Sequence, residues 1–409
     1  MFYRDTLMFY GWKIVATLFF VLMFSSGLGF YNHSVVLQAL TTEKGFPITV
    51  ASTAVSIFFF ASGLAGLYIA ALLEKYDVRL IMGVGTVIAS LCLGALGEVN
   101  NQVQLYMLYA LFGIGFCASG LLPATTLVAR WFHKSRARAL SVASTGLSVG
   151  GIIVTPASAT LIESQGMVVA SPILGLVYLV GVLPLSLMIL RSRPADLGLD
   201  AEGTDQQSAM HINGQGVNLR QALRDSYFWR LNLAYLFVMM AQVGGIAHQY
   251  GIVSEQMSGR DAALALGVLP LFSIIGRLAG GLLIDKMDAT RFTTTMMLLQ
   301  GLSLACMGYF ASPVGLLIGL AIFGITVGNL LMLQPLLIAE RYGLLQYSRI
   351  YAVSNLLTML GIATGPVTMG YLFALTGTYG LAYLAAAVAG VIAFLIFLGN
   401  SAAGRISPQ

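Results

Sequence analysis

Arg277 is the residue of this sequence with the most chemistry open to it. It stands inside ALALGVLPLFSIIGRLAGGLLID, residues 263 to 285, an apolar run long enough to cross a bilayer, for which about 20 residues suffice. A charge buried in such a run costs about 3 kcal/mol or more, so an ionisable residue there is a functional candidate by default. Asp285 and Lys286 mark the aqueous end of the span. Arg277 comes eight residues before them, about 12 Å along a helix and so close to the midplane. No Asp or Glu falls near the middle of any other apolar run. The partner expected for Arg277 is therefore one the protein does not supply: a small organic anion, whose carboxylate would match the planar guanidinium through two parallel hydrogen bonds. The competing reading is packing, with Arg277 held by backbone carbonyls or by Gln242, Asn329 or Asn355.

Other residues could work with it. GFYNHSVV, residues 29 to 36, places His33 about 32 Å along the helix axis from Trp12, toward the outer mouth. An imidazole there changes charge near neutral pH. It is the candidate for attracting an anion and taking up its proton, with Tyr31 and Asn32 beside it. The alternative is a neutral ring bonded to Asn32 or to a carbonyl. His248, with Gln242 and Gln249, occupies the corresponding place in the second half of the chain and is a candidate for cavity lining. Asn329, Tyr351 and Asn355 could donate hydrogen bonds to a carboxylate. At AALLEKYDVR, residues 70 to 79, and GLLIDKMDATR, residues 281 to 291, acids and bases share a short turn. Glu74, Lys75, Arg79, Asp285 and Lys286, with Arg136, are read as gating residues that pair in one state and release in another. The plainer reading is a surface ion pair worth about 0–1 kcal/mol. No glycine-rich loop has the context of a nucleotide site, and no His, Cys and acid spacing suggests a metal or a nucleophile. The expectation is no cofactor, no metal and no enzyme.

The elements that must position these residues follow from composition. Of 409 residues, 58% are hydrophobic and 9% charged, against about 25% charged in soluble domains. The fold class read from this is an all-α polytopic membrane protein of twelve transmembrane helices. The spans run over about 12–36, 48–73, 79–98, 104–128, 138–162, 168–190, 228–252, 262–284, 292–311, 314–338, 349–374 and 379–399, numbered 1 to 12 below. The first is a full span followed by others, so it does not read as a removable signal peptide. The polar stretch RSRPADLGLDAEGTDQQSAMHINGQG from Arg191 reads as a flexible linker with a short interfacial helix near Val217 to Tyr227. It divides the chain into a six-helix bundle over 1–190, a linker over 191–226 and a second bundle over 227–409. His211 in the linker reads as solvated.

The halves repeat. Trp12 and Lys13 match Trp229 and Arg230, Gly27 matches Gly244, Pro123 matches Pro335 and Pro156 matches Pro366, the trace of a duplicated bundle. Arg277 falls opposite Gly66, so the scaffold repeats and the charge does not. Gly113, Gly115 and Gly120, then Gly146, Gly150 and Gly151, offer close helix packing, and the prolines offer bends with freed carbonyls. The Phe58, Phe59 and Phe60 run reads as packing or lipid contact. Cys92, Cys117 and Cys306 lie in apolar runs and read as buried hydrophobes without a disulfide. All but three of the 21 Lys and Arg fall on the side of the termini or at helix ends there, the exceptions being Lys44, Arg260 and Arg277. That bias puts both termini in the cytoplasm. It also assigns the net charge of +5 to membrane topology rather than to nucleic acid.

WFHKSRARALSVASTGLSVG at 131 to 150, YGWK at 10 to 13, RPADLGL at 193 to 199 and the inner-turn motifs resemble those of the major facilitator superfamily. Within it, the chain looks like the monocarboxylate porter group and its oxalate/formate antiporter relatives. The resemblance implies two pseudo-symmetric bundles that rock around a central cavity. Arg277 in IIGRLAGG matches the family's carboxylate-binding arginine. His33 stands where animal proton-coupled lactate carriers have a lysine, and Ser273 where they have an aspartate, so their proton-handling set is not reproduced. The function expected is proton-coupled symport of a small monocarboxylate of the lactate or pyruvate class. The alternative is organic anion exchange; a dicarboxylate version would call for a second buried cation in span 11, which the sequence lacks. The partners expected are the anion, a co-transported proton and the lipid bilayer. The setting expected is a prokaryotic inner membrane, with a monomer as the working unit.

Overall fold

The computed structural model describes residues 9–132, 135–200, 202, 216–284, 287–310, 312–343 and 345–399; for Arg136, Ala137, Leu282 and Ser348 the description covers the backbone alone. Asp285, Lys286, His211 and the Arg136 side chain thus lie outside the described residues. Regular structure within them is helical, apart from two isolated bridges. Among the described residues, eleven helices are long and apolar enough to cross a membrane: Tyr10–Thr42, Ile48–Lys75, Val78–Glu98, Gln102–Trp131, Arg138–Gln165, Met167–Met188, Ser226–Ala247, Gly259–Gly281, Pro313–Tyr342, Arg349–Thr376 and Tyr379–Leu398. Span 9 forms as the helix Ala289–Tyr309. At 21 residues it reaches about 32 Å, enough to cross. Its low apolarity comes from groups it keeps inside: Thr293, Thr294, Gln300 and Ser303 are buried, and Gln300 donates to the Val238 carbonyl at 2.8 Å.

Helix starts follow local chemistry. Asp77, Asn101, Asp225, Asp288 and Ser312 each accept a backbone N–H of the first turn, satisfying a donor the helix cannot pair itself. Gly377, in the left-handed region at φ 73°, closes span 11, a conformation that costs glycine nothing. Among the described residues four spans are interrupted. Span 1 carries a π-helical turn at Gly27–Tyr31, span 4 breaks at Gly120 between Gln102–Ser119 and Leu121–Trp131, span 7 breaks at His248 between Ser226–Ala247 and Gln249–Ser254, and span 8 breaks between Gly259–Ala265 and Val268–Ile284.

By packing, the chain forms two compact units, one of Met1–Asn32 with Ala61–Asp205, the other of His33–Phe60 with Gln206–Gln409. The second therefore includes the last part of span 1 and the first part of span 2. In the first unit, span 5 lies against span 1 so closely that a Cβ at Gly146 or Gly150 would collide with the carbonyl of Phe19 or Met23. The second unit repeats this between spans 11 and 7, where Gly361 and Gly365 meet the carbonyls of Leu236 and Met240. The matched pair Gly27 and Gly244 each face the carbonyl of the second glycine, Gly150 or Gly365. The internal repeat is thus a repeat of helix pairing, and the architecture is an all-α polytopic membrane fold of two pseudo-symmetric halves.

Each end of the linker is tied within its own unit. Glu202 donates its N–H to the Trp131 carbonyl at 3.0 Å, and its carboxylate takes the Ser135 N–H at 3.0 Å and hydroxyl at 2.8 Å. Val217 donates to the Tyr342 carbonyl at 3.0 Å, and Leu219 to Gln346 Oε1 at 2.9 Å. A short helix, Leu219–Ala222, follows.

Candidate functional site

Span 8 meets span 10 through a face built for close approach. Ser273, Gly276, Arg277 and Gly280 recur at helical spacing on that side. Gly276 lies against Ile325, Gly280 against Asn329, and Gly328 of span 10 against Ser273. Arg277, half-buried, directs Nε at the Gly328 carbonyl at 3.4 Å, a long contact with a carbonyl that no side chain at position 328 screens. It lies seven residues before the helix end at Ile284, about 10 Å inside it. One turn away, Ser273 is fully buried and its hydroxyl has no protein partner. Asn329 donates both amide hydrogens to backbone, to Gly276 at 2.8 Å and Ile325 at 2.9 Å. It therefore binds span 10 to span 8 and positions the segment that carries Arg277; its hydrogens are not directed at a ligand.

His248 closes the helix of span 7 and its Nε2 lies 2.9 Å from the Pro366 carbonyl. A carbonyl only accepts, so Nε2 carries the hydrogen and Nδ1, buried without a protein partner, is left as an acceptor in the neutral ring. On the other side of the same proline, Ser56 accepts the Val367 N–H at 3.1 Å. The backbone around Pro366, inside the continuous helix Tyr347–Thr376, is thus held by spans 2 and 7 where a proline removes a helix donor. Gln249 donates to the Leu266 carbonyl at 3.3 Å, at the break in span 8. Both amide atoms of Gln242 are buried without a protein partner, a state rare in folded chains and typical of groups that meet water or a ligand.

His33 also belongs to the second unit. It is buried at the start of the helix His33–Thr42, with its ring edge-on to Phe58 at 4.3 Å and Phe59 at 5.5 Å. Tyr31 and Asn32, its neighbours in sequence, belong to the first unit. Tyr31 is buried at the end of the π-helical turn with its ring 5.2 Å from that of Phe30. Both amide atoms of Asn32 are buried without a protein partner. Tyr351 stacks on Tyr347 with ring centroids 5.8 Å apart, and Asn355 is half-buried one turn further along span 11. The structure therefore brings Arg277 together with Asn329 and Ser273, and His248 with the Pro366 carbonyl of span 11, as separate clusters.

Two arrangements escaped the sequence reading. In the second unit a buried network joins spans 7, 10 and 11: Gln334 donates to Ser354 Oγ at 2.8 Å and Thr358 Oγ1 at 2.7 Å, and the Ser354 hydroxyl donates to Asn232 Oδ1. Ser354 and Thr358, four apart on one helix face, are the signal that could have pointed to it. Gln334→Leu should lower stability by about 1–3 kcal/mol, because the partners it leaves stay buried. A thermal-unfolding measurement that found no decrease would contradict this role.

At the turn after span 2, the acid that engages Arg79 is Asp77. Arg79 Nη2 lies 2.6 Å from Asp77 Oδ2, and Ser192 donates to Asp77 Oδ1 at 2.9 Å. Arg130 reaches back to the Leu73 carbonyl at 2.6 Å, capping the end of span 2. Glu74 and Lys75 are exposed there. Asp77, immediately before an apolar helix, carried an N-cap signal. The Arg79 hydrogen bonds hold its carboxyl down at about 2, with Ser192 adding to the effect and partial burial opposing it. A depressed carboxyl stabilises the fold above its unfolded value of 3.8 and stops doing so as pH falls through about 2. The pair is more than a third exposed, so Asp77→Asn should cost no more than about 1 kcal/mol at pH 7. The two proteins' melting temperatures should converge as pH falls toward 2, and a gap that widened would contradict the assignment.

The sequence profile of the Major Facilitator Superfamily matches residues 19–343 and, again, 244–408. Monocarboxylate transporter 13 of Bos taurus is 24% identical over 391 residues, covering 92% of this chain and 86% of that protein. The aspyridones efflux protein apdF of Emericella nidulans is 22% identical over 352 residues, 84% of this chain and 68% of that protein. Among solved structures, a bacterial homolog of the human lysosomal transporter Spinster, in an inward-facing and occupied conformation, aligns with a TM-score of 0.76 at 17% identity, covering 98% of this chain and all of the other.

Proposed function

The chain belongs to the Major Facilitator Superfamily, and from that premise we propose that it carries a small monocarboxylate, of the lactate or pyruvate class, together with a proton. The superfamily is one of carriers, and the chain is a transporter rather than an enzyme. The observation that supports the anion reading most is Arg277, a cation on a membrane-spanning helix. Its Nε approaches a backbone carbonyl, and its span is fixed to its neighbour by Asn329. A guanidinium so placed offers a carboxylate a planar, charge-assisted contact. The similarity to a monocarboxylate transporter over most of both chains agrees with that class of cargo. His33 is the group assigned to the proton. Gln242, whose amide is buried without a protein partner, is assigned to the polar path. The termini are assigned to the cytoplasmic face of a prokaryotic inner membrane, where Glu74, Lys75, Arg79, Arg136, Asp285 and Lys286 are assigned to gating between states.

Purified protein in proteoliposomes, given labelled lactate outside and an imposed inward proton gradient with no anion inside, should accumulate lactate above equilibrium. A protonophore should abolish the accumulation. Uptake that appears only when a carboxylate is loaded inside would replace symport by exchange, and no uptake in either arrangement would remove lactate as the cargo.

A further inference from the structure

A cavity of about 490 Å³, mostly apolar with a few polar groups in its lining, opens in the second unit at the end of span 7, within the size range of small-molecule sites. It is lined in part by the end of span 1 and the start of span 2 and shares no residue with the span 8 and span 10 contact. Its lining includes Thr41, Thr42, Ser254, Glu255, Phe373 and Tyr379. The hydroxyl hydrogens of Thr41 and Thr42 both go to the Gln38 carbonyl, at 2.7 and 2.9 Å, and that of Ser254 goes to the Gly251 carbonyl at 2.9 Å. With their hydrogens so engaged, these three oxygens can offer a ligand only lone pairs. Glu255 accepts the Tyr379 N–H through Oε1 at 3.1 Å, and among the described residues no Lys or Arg forms an ion pair with it. Partial burial pushes its carboxyl up, the Tyr379 N–H offsetting part of this. Phe373 and Tyr379 form an aromatic wall with ring centroids 4.3 Å apart. The Tyr379 hydroxyl is buried without a protein partner, and its ring lies where a side chain at Gly251 would stand.

A mostly apolar cavity that sets engaged hydroxyls, one carboxylate and the Gln38 amide beside aromatic faces suits a cation that brings its own hydrogens. We propose that it binds the primary ammonium head of a small organic cation. Glu255 is the counter-charge, Thr41, Thr42 and Ser254 are acceptors, and Phe373 and Tyr379 supply the faces that favour a cation. The site is independent of Arg277 and of the anion reading.

The test is calorimetric titration of the full-length protein in nanodiscs with ethylammonium chloride. Saturable binding is expected, weakened about tenfold or more by Glu255→Gln, which keeps the acceptor for the Tyr379 N–H, and about threefold by Thr42→Val. Arg277→Gln should leave it unchanged, which separates this site from the anion site. Tetraethylammonium, with no hydrogens to donate, should bind at least about tenfold more weakly. No saturable binding by the wild type, wild-type affinity in Glu255→Gln, or equal displacement by sodium ion would overturn the proposal. Should Glu255→Gln fail to fold, unchanged affinity in Thr42→Val would do the same.

Discussion

Arg277→Gln should reduce the initial rate of carboxylate uptake by about 100-fold or more, while the protein still folds and reconstitutes. Losing one partner of a desolvated, hydrogen-bonded charge pair costs about 2–5 kcal/mol, and about 2.8 kcal/mol is already a factor of 100. The variant keeps a polar side chain of similar reach on the face toward Gly328, so the packing of spans 8 and 10 has little reason to change. That packing is held by Gly276, Gly280 and Asn329. Arg277→Lys should fall between the two, because it keeps the charge and loses the planar fork. Uptake at the wild-type rate in Arg277→Gln would return the residue to a packing role.

The second large effect is on the scaffold. Gly361→Leu should cost at least about 3 kcal/mol, beyond ordinary overpacking, since its Cβ would meet the Leu236 carbonyl. That neighbour is backbone and cannot turn aside as a flexible side chain can. The fitting control is Gly281→Ala on span 8, where a Cβ meets nothing within 4 Å. Gly281→Ala should express and melt like the wild type, while Gly361→Leu should lose monodisperse protein or melt well below it. Equal behaviour would mean that the span 7 and span 11 contact does not bear on folding. Because Gly146 repeats this arrangement against Phe19, Gly146→Leu should behave in the same way.

The spans were legible because they rest on apolar runs about as long as the bilayer is thick, a property of composition that tertiary packing does not alter. Span 9 was legible by its length and place between turns even though Thr293, Thr294 and Gln300 dilute its apolarity. The repeat was legible too, since Gly27 and Gly244 occupy equivalent contacts. The interruptions were not. A π-helical turn at Gly27–Tyr31 and the break before Val268 depend on which carbonyls a neighbouring span can satisfy. Thr155 bonds the Gly27 carbonyl and Gln249 the Leu266 carbonyl, contacts between different spans that no local sequence pattern reveals. For the same reason the division between Asn32 and His33 could not be read locally, because it depends on which helices each part of span 1 packs against.

Within the candidate site, Arg277 stood out because a charge in an apolar run has few explanations. Asn329 did not reveal its part, since an amide that binds two helices and one that awaits a ligand look alike in sequence. Asp77 was overshadowed by Glu74 and Lys75, although only Asp77 occupies the position before the helix where a carboxylate can take both a backbone N–H and the Arg79 side chain.

The most direct test of carboxylate passage through Arg277 is counterflow, which needs no driving ion. Proteoliposomes loaded with unlabelled pyruvate and diluted into a trace of labelled pyruvate should show a transient overshoot of label inside, present for the wild type and absent for Arg277→Gln. No overshoot for pyruvate, lactate or any other short monocarboxylate with folded, reconstituted wild-type protein would contradict the account, as would an undiminished overshoot in Arg277→Gln.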